Sequence, residues 1–188
     1  IPIYNIQNTT YTFVGGGVAE ILNRMVPILQ ELGVDARWNV IKGSPGFFEV
    51  TKKFHNALHG RKESISDDDF ALFLEINRRN MAEMDFHGQT MFIHDPQPCA
   101  LIEKKSSGGK WIWRCHIDVS NPDERVWKFL ERFVIQYDST VFSAPAFSRP
   151  LPVRQFLISP SIDPLSDKNK DLTTREIRDR SIPRDDVR

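Results

Sequence analysis

The chain has 188 residues, 40% of them hydrophobic, and its 25 basic residues balance 25 acidic residues to a formal net charge of +0. This length suffices for one domain with its own core, and the charge balance disfavours nucleic acid or an anionic membrane as the main partner. No apolar run reaches the roughly 18 residues of a membrane-spanning helix, and the N-terminal segment lacks the basic and apolar regions of a signal peptide, so we expect a cytoplasmic protein.

The apolar residues alternate between short β-rich runs and stretches with helical spacing, which is typical of an α/β protein with a mainly parallel sheet. Gly33 and Gly60 are predicted to end the first two helices. Asn121, Pro122 and Glu124 predict the start of the fourth helix, as capping residue, first-turn proline and first-turn carboxylate. We predict strands at 1–10, 35–41, 89–95, 110–118, 139–145 and 153–160, and helices at 18–32, 47–60, 68–84 and 121–137.

Each predicted helix has an apolar face suited to packing on a sheet. The third helix carries one polar residue, Asn77, within its predicted buried face. The residues on these faces are Val18, Ile21, Leu22, Met25, Ile28, Leu29 and Leu32; then Phe47, Val50, Phe54 and Leu58; then Phe70, Phe73, Leu74, Met81 and Met84; and finally Val126, Phe129, Leu130, Phe133, Val134 and Tyr137.

The polar residues that follow each predicted strand are the candidate site residues, because an open parallel sheet binds its ligands at the carboxyl ends of its strands. In a doubly wound sheet they all lie on one rim. The candidates are Gly15, Gly16 and Gly17 after the first strand, His94, Asp95 and Gln97 after the third, Arg114, His116 and Asp118 at the end of the fourth, and Ser161 and Asp163 after the last.

The three glycines directly precede the first helix. Glycine lets a ligand approach the backbone closely, and the first N–H groups of a helix bind an anion or a sugar oxygen. The segment is neither the G-x-G-x-x-G dinucleotide fingerprint nor a P-loop, because the Lys-Ser/Thr pair of a P-loop is absent. A tight turn and a ligand-binding loop therefore both remain open as interpretations.

His94 and Asp95 also have two interpretations. They would pair a proton carrier with a carboxylate that accepts hydrogen bonds from sugar hydroxyls. Alternatively, His94 ends a buried strand and Asp95 forms the turn before Pro96.

Arg114 and His116 lie two residues apart on the predicted fourth strand, so their side chains are expected to share a face, with Cys115 in apolar packing on the other. A buried arginine needs a partner, which either a ligand or a structural carboxylate would supply. Cys99 and Cys115 both adjoin apolar residues and are expected to be buried, reduced thiols.

No metal site is predicted, because the His and Cys residues lack the ligand spacing of zinc sites. His55 and His59 are four residues apart on a predicted helix, but the glutamate that a metalloprotease motif places after the first histidine is missing. The G-x-S-x-G elbow of serine hydrolases is absent too. The missing dinucleotide fingerprint argues against a Rossmann oxidoreductase.

Five sequence blocks, given at the end of this paragraph in chain order, resemble the N-terminal half of the trehalose synthase and trehalose phosphorylase family of retaining glycosyltransferases. The resemblance runs from about Asn8 to Leu172. It implies the GT-B architecture, in which two Rossmann-like domains face a cleft, with this chain as the acceptor-side domain and a three-layer α/β sandwich. The blocks are GGGVAEILNRMVPILQELGVDARWNVI, FFEVTKKFHNALHG, FIHDPQP, WIWRCHIDVSNP and SPSIDPLSDKN.

The resemblance implies transfer of glucose from a nucleoside-diphosphate glucose to glucose, forming trehalose with retention and with no cofactor beyond the donor substrate. The phosphorylase branch, which exchanges phosphate and glucose across trehalose, shares the same blocks. The residues implicated are Asp95, which binds acceptor hydroxyls, His116, which orients the donor glucose, Gly15, Gly16 and Gly17 beside the donor phosphates and reacting sugars, and His94, Gln97, Arg114 and Asp118 as further substrate-binding candidates on the same rim.

We expect residues 1–162 to form this domain. Residues 163–188, with a short helix near 173–180, are expected to be a polar tail or linker toward a second domain that supplies most of the nucleotide-sugar site. The implied partners are glucose or trehalose, and the chain alone is expected to transfer little or no glucose. A free-standing, non-catalytic sugar-binding module is the alternative, and an uncovered apolar face would favour homo-oligomers.

Overall fold

The computed structural model describes residues 4–12, 16–106, 108–161 and 173. Within these ranges the strands are β1 (Asn5–Thr10), β2 (Asp35–Val40), β3 (Thr90–His94), β4 (Lys110–Cys115), β5 (Ser139–Phe142) and β6 (Arg154–Leu157). The α-helices are α1 (Gly17–Glu31), α2 (Pro45–Leu58), α3 (Asp67–Glu83) and α4 (Glu124–Val134), and short 3-10 helices span Cys99–Lys104 and Pro145–Phe147.

The strands form one sheet in the order β2-β1-β3-β4-β5-β6, and each neighbouring pair is parallel. The predicted α/β class is therefore confirmed. Because β2 lies on one side of β1 and β3 on the other, the winding of the sheet reverses between β1 and β3. Doubly wound sheets bind their ligands beyond the carboxyl ends of the strands at such a switch point.

Helices cover both faces of the sheet. Ala36 pairs with Ile6 and Met91 pairs with Gln7, so Ala36 and Met91 face opposite sides, because adjacent residues of a strand alternate. α1 packs against the Ala36 face, whereas α2, α3 and α4 pack against the Met91 face in a larger core. This arrangement is the predicted three-layer sandwich.

The glycines predicted to end the first two helices do so. α2 ends at Leu58, and the N–H of Gly60 donates to the carbonyl oxygen of Ala57 at 3.0 Å. Gly60 has a φ of +79°, and a Cβ there would lie 2.7 Å from the carbonyl oxygen of Asn121. Glycine is therefore required at this helix end by both backbone conformation and space.

The predicted start of α4 was wrong by two residues. Asp123, not Asn121, is the capping residue, because its carboxylate accepts the N–H groups of Arg125 and Val126, each at 3.0 Å. The N–H of Asp123 also donates to Ala57 at the end of α2, at 2.8 Å. This contact, which local sequence does not reveal, anchors the capping residue against a neighbouring helix.

The predicted apolar faces of α3 and α1 were wrong in part. Phe73 and Asn77 are buried as expected, but so are Ile76 and Asn80. Asn80 accepts the N–H of Lys42 at 2.7 Å and donates to its carbonyl oxygen at 2.8 Å, so an incoming loop covers that face. Residues of the predicted faces that remain partly or largely exposed include Phe70, Leu74, Met81 and Met84 in or next to α3, Ile28 in α1 and Leu32 directly after α1.

Several predicted strands extended too far. β4 ends at Cys115, so His116 and Asp118 lie in the loop that follows it. β5 and β6 are each four residues long, and the two 3-10 helices were not predicted. Asp163 and nearly all of the predicted helix at 173–180 lie outside the described residues.

Cys99 and Cys115 are free and fully buried, as predicted. Burial raises the pKa of both thiols well above its ordinary value, so neither is a reactive thiolate. In the part of the chain that the structure describes, no helix combines the length and apolar character needed to cross a membrane.

Candidate functional site

A cavity of about 350 Å³ lies beyond the carboxyl ends of β1, β3 and β4. This volume falls in the range of small-molecule sites. Its walls bring together four of the predicted site residues, and these come from three separate segments of the chain. They are Gly16 and Gly17 at the start of α1, Asp95 after β3, and His116 after β4.

The start of α1 forms one wall of the cavity. Gly16 precedes the helix with a φ of 85°, which explains the need for glycine there, whereas a Cβ on Gly17 would meet nothing within 4 Å. The first N–H groups of any helix have no partner within that helix and carry its positive end. The conformation requires glycine at position 16, whereas the space around position 17 does not, and Gly15 lies outside the described residues.

Asp95 occupies a strained position directly after β3. Its φ is 66°, which is uncommon for a residue other than glycine, and its side chain is buried. Its N–H donates to the carbonyl oxygen of Arg114 at 2.8 Å, and its carbonyl oxygen accepts the indole N–H of Trp113 at 3.0 Å. Its carboxylate accepts a hydrogen bond from the backbone N–H of His116 at 2.9 Å. Three hydrogen bonds therefore fix this strained residue in the wall.

The environment of Asp95 shifts its protonation. Burial raises the pKa of its carboxyl group to about 6, although the hydrogen bond from His116 and the charge of Arg114 oppose the shift. The carboxylate is thus ionised at neutral pH but poorly solvated. Such a group accepts hydrogen bonds from ligand hydroxyls strongly.

Tyr11, which also lines the cavity, has its pKa raised by burial and then by the charge of Asp95. Its hydroxyl group therefore stays protonated.

His116 and His94 form a buried histidine pair. Nδ1 of His94 lies 3.0 Å from Nε2 of His116, and Nε2 of His94 lies 3.1 Å from Oδ1 of Asn8. Burial and the positive charge of Arg114 together lower the pKa of His116 to about 4, and burial, His116 and Arg114 together lower that of His94 to about 3. Both rings are neutral at neutral pH. His116 lines the cavity, whereas His94 lies behind it.

Arg114 does not join the cavity wall. Its guanidinium group donates to the carbonyl oxygens of Phe142, at 3.3 Å, and Ile158, at 2.6 Å. Among the described residues, the partners of this buried arginine are the backbone at the end of β5, the backbone directly after β6 and the hydroxyl group of Ser143, at 3.5 Å, rather than a carboxylate. Arg114 and His116 therefore have different hydrogen-bond partners, although the charge of Arg114 contributes to the lowered pKa of His116.

Gln97 and Asp118 also lie away from the cavity. Gln97 is 5% exposed, and its carbonyl oxygen accepts a hydrogen bond from the side chain of Asn77 at 3.1 Å. Hydrogen bonds from Ser120, through its side chain and through its backbone N–H at 2.8 Å, lower the pKa of Asp118. Asp118 therefore bonds its own loop, whereas the backbone of Gln97 bonds α3.

The cavity also contains residues that the sequence analysis missed. Tyr11 and Thr12 follow β1 directly, so the rule that points to strand ends would have identified them. His55 of α2 lines the cavity, and its pKa is lowered by burial first and then by His59, whose ring centroid is 4.7 Å away. In the sequence, this pair forms only an incomplete metalloprotease motif.

Among the described residues, no three His, Cys, Asp or Glu side chains are grouped closely enough to hold a metal ion. The polar groups of the cavity are instead suited to hydrogen bonding. They are the carboxylate of Asp95, the imidazoles of His55 and His116, hydroxyl groups and the N–H groups at the start of α1.

The fold is that of the N-terminal half of a GT-B glycosyltransferase. A solved structure described as "Trehalose-6-phosphate from E. coli bound with UDP-2-fluoro glucose" superposes on this chain with a TM-score of 0.61. The match has 14% sequence identity and covers 85% of this chain and 49% of that chain. At this identity the comparison establishes the shared fold.

A family model described as trehalose synthase, N-terminal domain, matches residues 8–149, and the chain belongs to this family. Trehalose synthase from Thermococcus litoralis is 46% identical over 177 residues, which are 92% of this chain and 42% of that protein. Trehalose synthase from Rubrobacter xylanophilus is 41% identical over 181 residues, with coverages of 91% and 42%. Trehalose phosphorylase from Pleurotus sajor-caju is 33% identical over 138 residues, with coverages of 62% and 18%.

The predicted family and fold are thus confirmed. The chain spans 42% of the length of the trehalose synthases that it matches.

Proposed function

We propose that this chain is the acceptor-binding half of a retaining glucosyltransferase, which forms trehalose from a nucleoside-diphosphate glucose and glucose. Membership of the trehalose synthase family supports the reaction class. The observation that carries the assignment of the site is the convergence of Asp95, His116 and the start of α1 on one cavity at the switch point of the sheet.

The chemistry of the cavity walls suits a sugar. The carboxylate of Asp95 and a neutral ring nitrogen of His116 accept hydrogen bonds from hydroxyl groups, whereas the N–H groups at the start of α1 donate to oxygens. A hexose presents hydroxyl groups that both donate and accept. Walls of opposite hydrogen-bonding character would therefore hold the ring in one orientation, which is the positioning that glycosyl transfer requires.

The cavity has little capacity to neutralise a diphosphate. Among the described residues that line it, none is a lysine or an arginine. The helix N-terminus favours negative charge, but its contribution is about 0.3–1 kcal/mol at an exposed site. This supports a division of labour in which this chain holds the acceptor and a second domain holds most of the nucleotide.

The synthase and phosphorylase branches of the family differ in their similarity to this chain. The trehalose synthases match 91–92% of this chain at 41–46% identity, and the phosphorylase from Pleurotus sajor-caju matches 62% at 33%. The higher identity and coverage favour the synthase reaction. The proposal for this chain therefore names glucose, rather than phosphate, as the ligand of the cavity.

Calorimetric titration of the 188-residue chain tests this assignment. We expect measurable binding of glucose, much weaker binding of a nucleoside-diphosphate glucose, and no detectable trehalose when both are supplied together. Tight binding of the nucleotide sugar without glucose binding would overturn the division of labour. Trehalose formation by the chain alone would show that it holds the complete catalytic site.

A further inference from the structure

Behind the cavity, a chain of buried polar side chains links β1 to His116. Asn8 of β1 is 1% exposed and His94 of β3 is 4% exposed. The Nδ2 atom of Asn8 donates to the carbonyl oxygen of Arg37 at 3.3 Å, which leaves Oδ1 of the amide for His94, 3.1 Å from its Nε2. The reversed amide would place two acceptor oxygens against each other, so the contact with Arg37 fixes the orientation.

This orientation determines where the ring protons lie. An amide oxygen only accepts, so Nε2 of His94 carries the proton and Nδ1 of the neutral ring is an acceptor. Nε2 of His116 lies 3.0 Å from that Nδ1 atom and must therefore donate to it. Because burial lowers the pKa of both rings, to about 3 for His94 and about 4 for His116, neither ring carries a second proton at neutral pH.

We propose that Asn8 and His94 are positioning residues that hold His116 in the Nε2–H tautomer, so that its Nδ1 atom presents an acceptor to a sugar hydroxyl. Asn8 acts through His94, and neither residue lines the cavity. The consequence for sugar binding rests on the proposed function, whereas the tautomers of the two rings do not depend on it.

The arrangement predicts a specific failure. Without an acceptor at position 8, His94 gains the alternative tautomer, in which Nδ1 carries the proton and donates to His116. The proton of His116 then moves to its own Nδ1 atom, and the ring presents a donor to the cavity in place of an acceptor. A hydroxyl that donates to His116 in the native protein would lose its partner.

We call the hydrogen-bonded series Asn8, His94 and His116 the relay. Nitrogen-15 NMR of the two imidazole rings tests it directly in the wild-type chain at neutral pH. Protonated and unprotonated ring nitrogens have well-separated resonances. We expect protonated Nε2 and unprotonated Nδ1 in both His94 and His116. A protonated Nδ1 in either ring of the wild-type chain overturns the proposal, and this outcome requires no variant to fold.

Two substitutions at Asn8 separate tautomer control from packing. In Asn8→Asp, burial favours the protonated carboxyl group, which can donate to the carbonyl oxygen of Arg37 and keep an acceptor for His94. We therefore expect Nε2 to stay protonated in both rings, with glucose affinity within about threefold of the wild type. Asn8→Leu has a similar size but no acceptor, and it is expected to shift ring protonation toward Nδ1 and to weaken glucose binding about tenfold, or ~1.4 kcal/mol. Unchanged ring resonances in the leucine variant contradict the relay.

Asn77→Leu is the matched control, because it removes a buried asparagine of α3 that bonds the carbonyl oxygens of Phe73 and Gln97 rather than a histidine. It is expected to lower stability without moving the ring resonances. If Asn77→Leu shifts them as Asn8→Leu does, the specific relay is wrong. If the wild type shows the expected tautomers but binds no glucose, the relay stands and the proposed function fails.

Discussion

The aromatic core beneath α2, α3 and α4 differs from the cavity at the strand ends in what it buries. In the core, Phe54 lies with its ring centroid 5.2 Å from Phe70 and 5.3 Å from Phe73, and none of these three rings carries a polar group. Around the cavity, Asp95 and His94 are almost fully buried although both carry ionisable groups. Burial stabilises the fold in the core, whereas burial of ionisable groups around the cavity lowers the stability of the fold.

This difference explains how the fold supports a binding site. Burial of apolar rings contributes about 25 cal/mol per Å² of area removed from water, whereas burial of a carboxylate or imidazole disfavours its charged form. The polar groups near the cavity keep their places because the sheet supplies specific partners, such as Asn8 for His94 and the N–H of His116 for Asp95. Substitutions in the two regions and at one helix start are therefore expected to change the free energy of unfolding by different amounts, given below from largest to smallest.

The largest effect is expected in the core. Phe54→Ala removes a ring that is 1% exposed, and we expect it to lower the free energy of unfolding by about 3–5 kcal/mol in urea titrations. Phe54→Leu keeps most of the apolar volume, and we expect a loss of about 1–1.5 kcal/mol with glucose affinity unchanged. A loss below ~1 kcal/mol for the alanine variant would show that this core is not where the stability lies.

The second effect concerns acid stability. Because the pKa of His94 is lowered to about 3, the folded state binds fewer protons than the unfolded state below pH 6.5. Stability from this residue is present above pH 6.5 and falls by up to about 3 kcal/mol as the pH drops to 4. His116, with a pKa near 4, acts in the same direction, and Asp95 opposes both below pH 6.

His94→Gln keeps a donor for Asn8 but takes up no proton. We expect its unfolding free energy to depend less on pH between 6.5 and 4 than that of the wild type, whatever its stability at pH 7. Urea titrations at several pH values measure this slope. Parallel curves for the two proteins would show that His94 is not buried in its neutral form.

The third effect has the opposite sign. The pKa of Asp95 is raised to about 6, so its ionisation as the pH rises from 4 to 7 costs stability. Asp95→Asn removes that cost, and we expect a gain of up to ~2 kcal/mol at pH 7 that disappears near pH 4. Asp118→Asn is the control, because the lowered pKa of Asp118 predicts a small loss at pH 7. No gain for the Asp95 variant would contradict the comparison.

The smallest effect lies at the start of α4, outside both regions. Asp123→Ala removes the capping carboxylate and is expected to cost about 1 kcal/mol. Asn121→Ala, at the position that the sequence pattern favoured, is expected to change stability by less than ~0.5 kcal/mol. Equal losses in thermal or urea unfolding would restore Asn121 as a second capping residue.

Much of the fold was predictable because its causes are local. The apolar face of α2 contains Phe47 and Phe54 at helical spacing, and both are buried. The glycine at position 60 ends this helix, as predicted, because its conformation is one that other residues rarely adopt. Asp95 and His116 were found for a topological reason, since parallel strands bring their carboxyl ends to one edge.

The remaining features depend on contacts between distant segments. Asn80 is buried because it bonds the backbone of Lys42, 38 residues away, so helical spacing did not reveal it. Arg114 bonds the carbonyl oxygen of Ile158, 44 residues away. Asn8 entered no sequence argument, because its role follows only from its position beside His94, 86 residues away.

The glucose affinity of Asp95→Asn, measured by calorimetry at neutral pH beside Asp118→Asn and the wild type, tests the central claim that this cavity binds the sugar acceptor. The account predicts binding at least about tenfold weaker for Asp95→Asn, or ~1.4 kcal/mol, and affinity within about twofold of wild type for Asp118→Asn. Glucose binding by the wild type that Asp95→Asn leaves unchanged would contradict it.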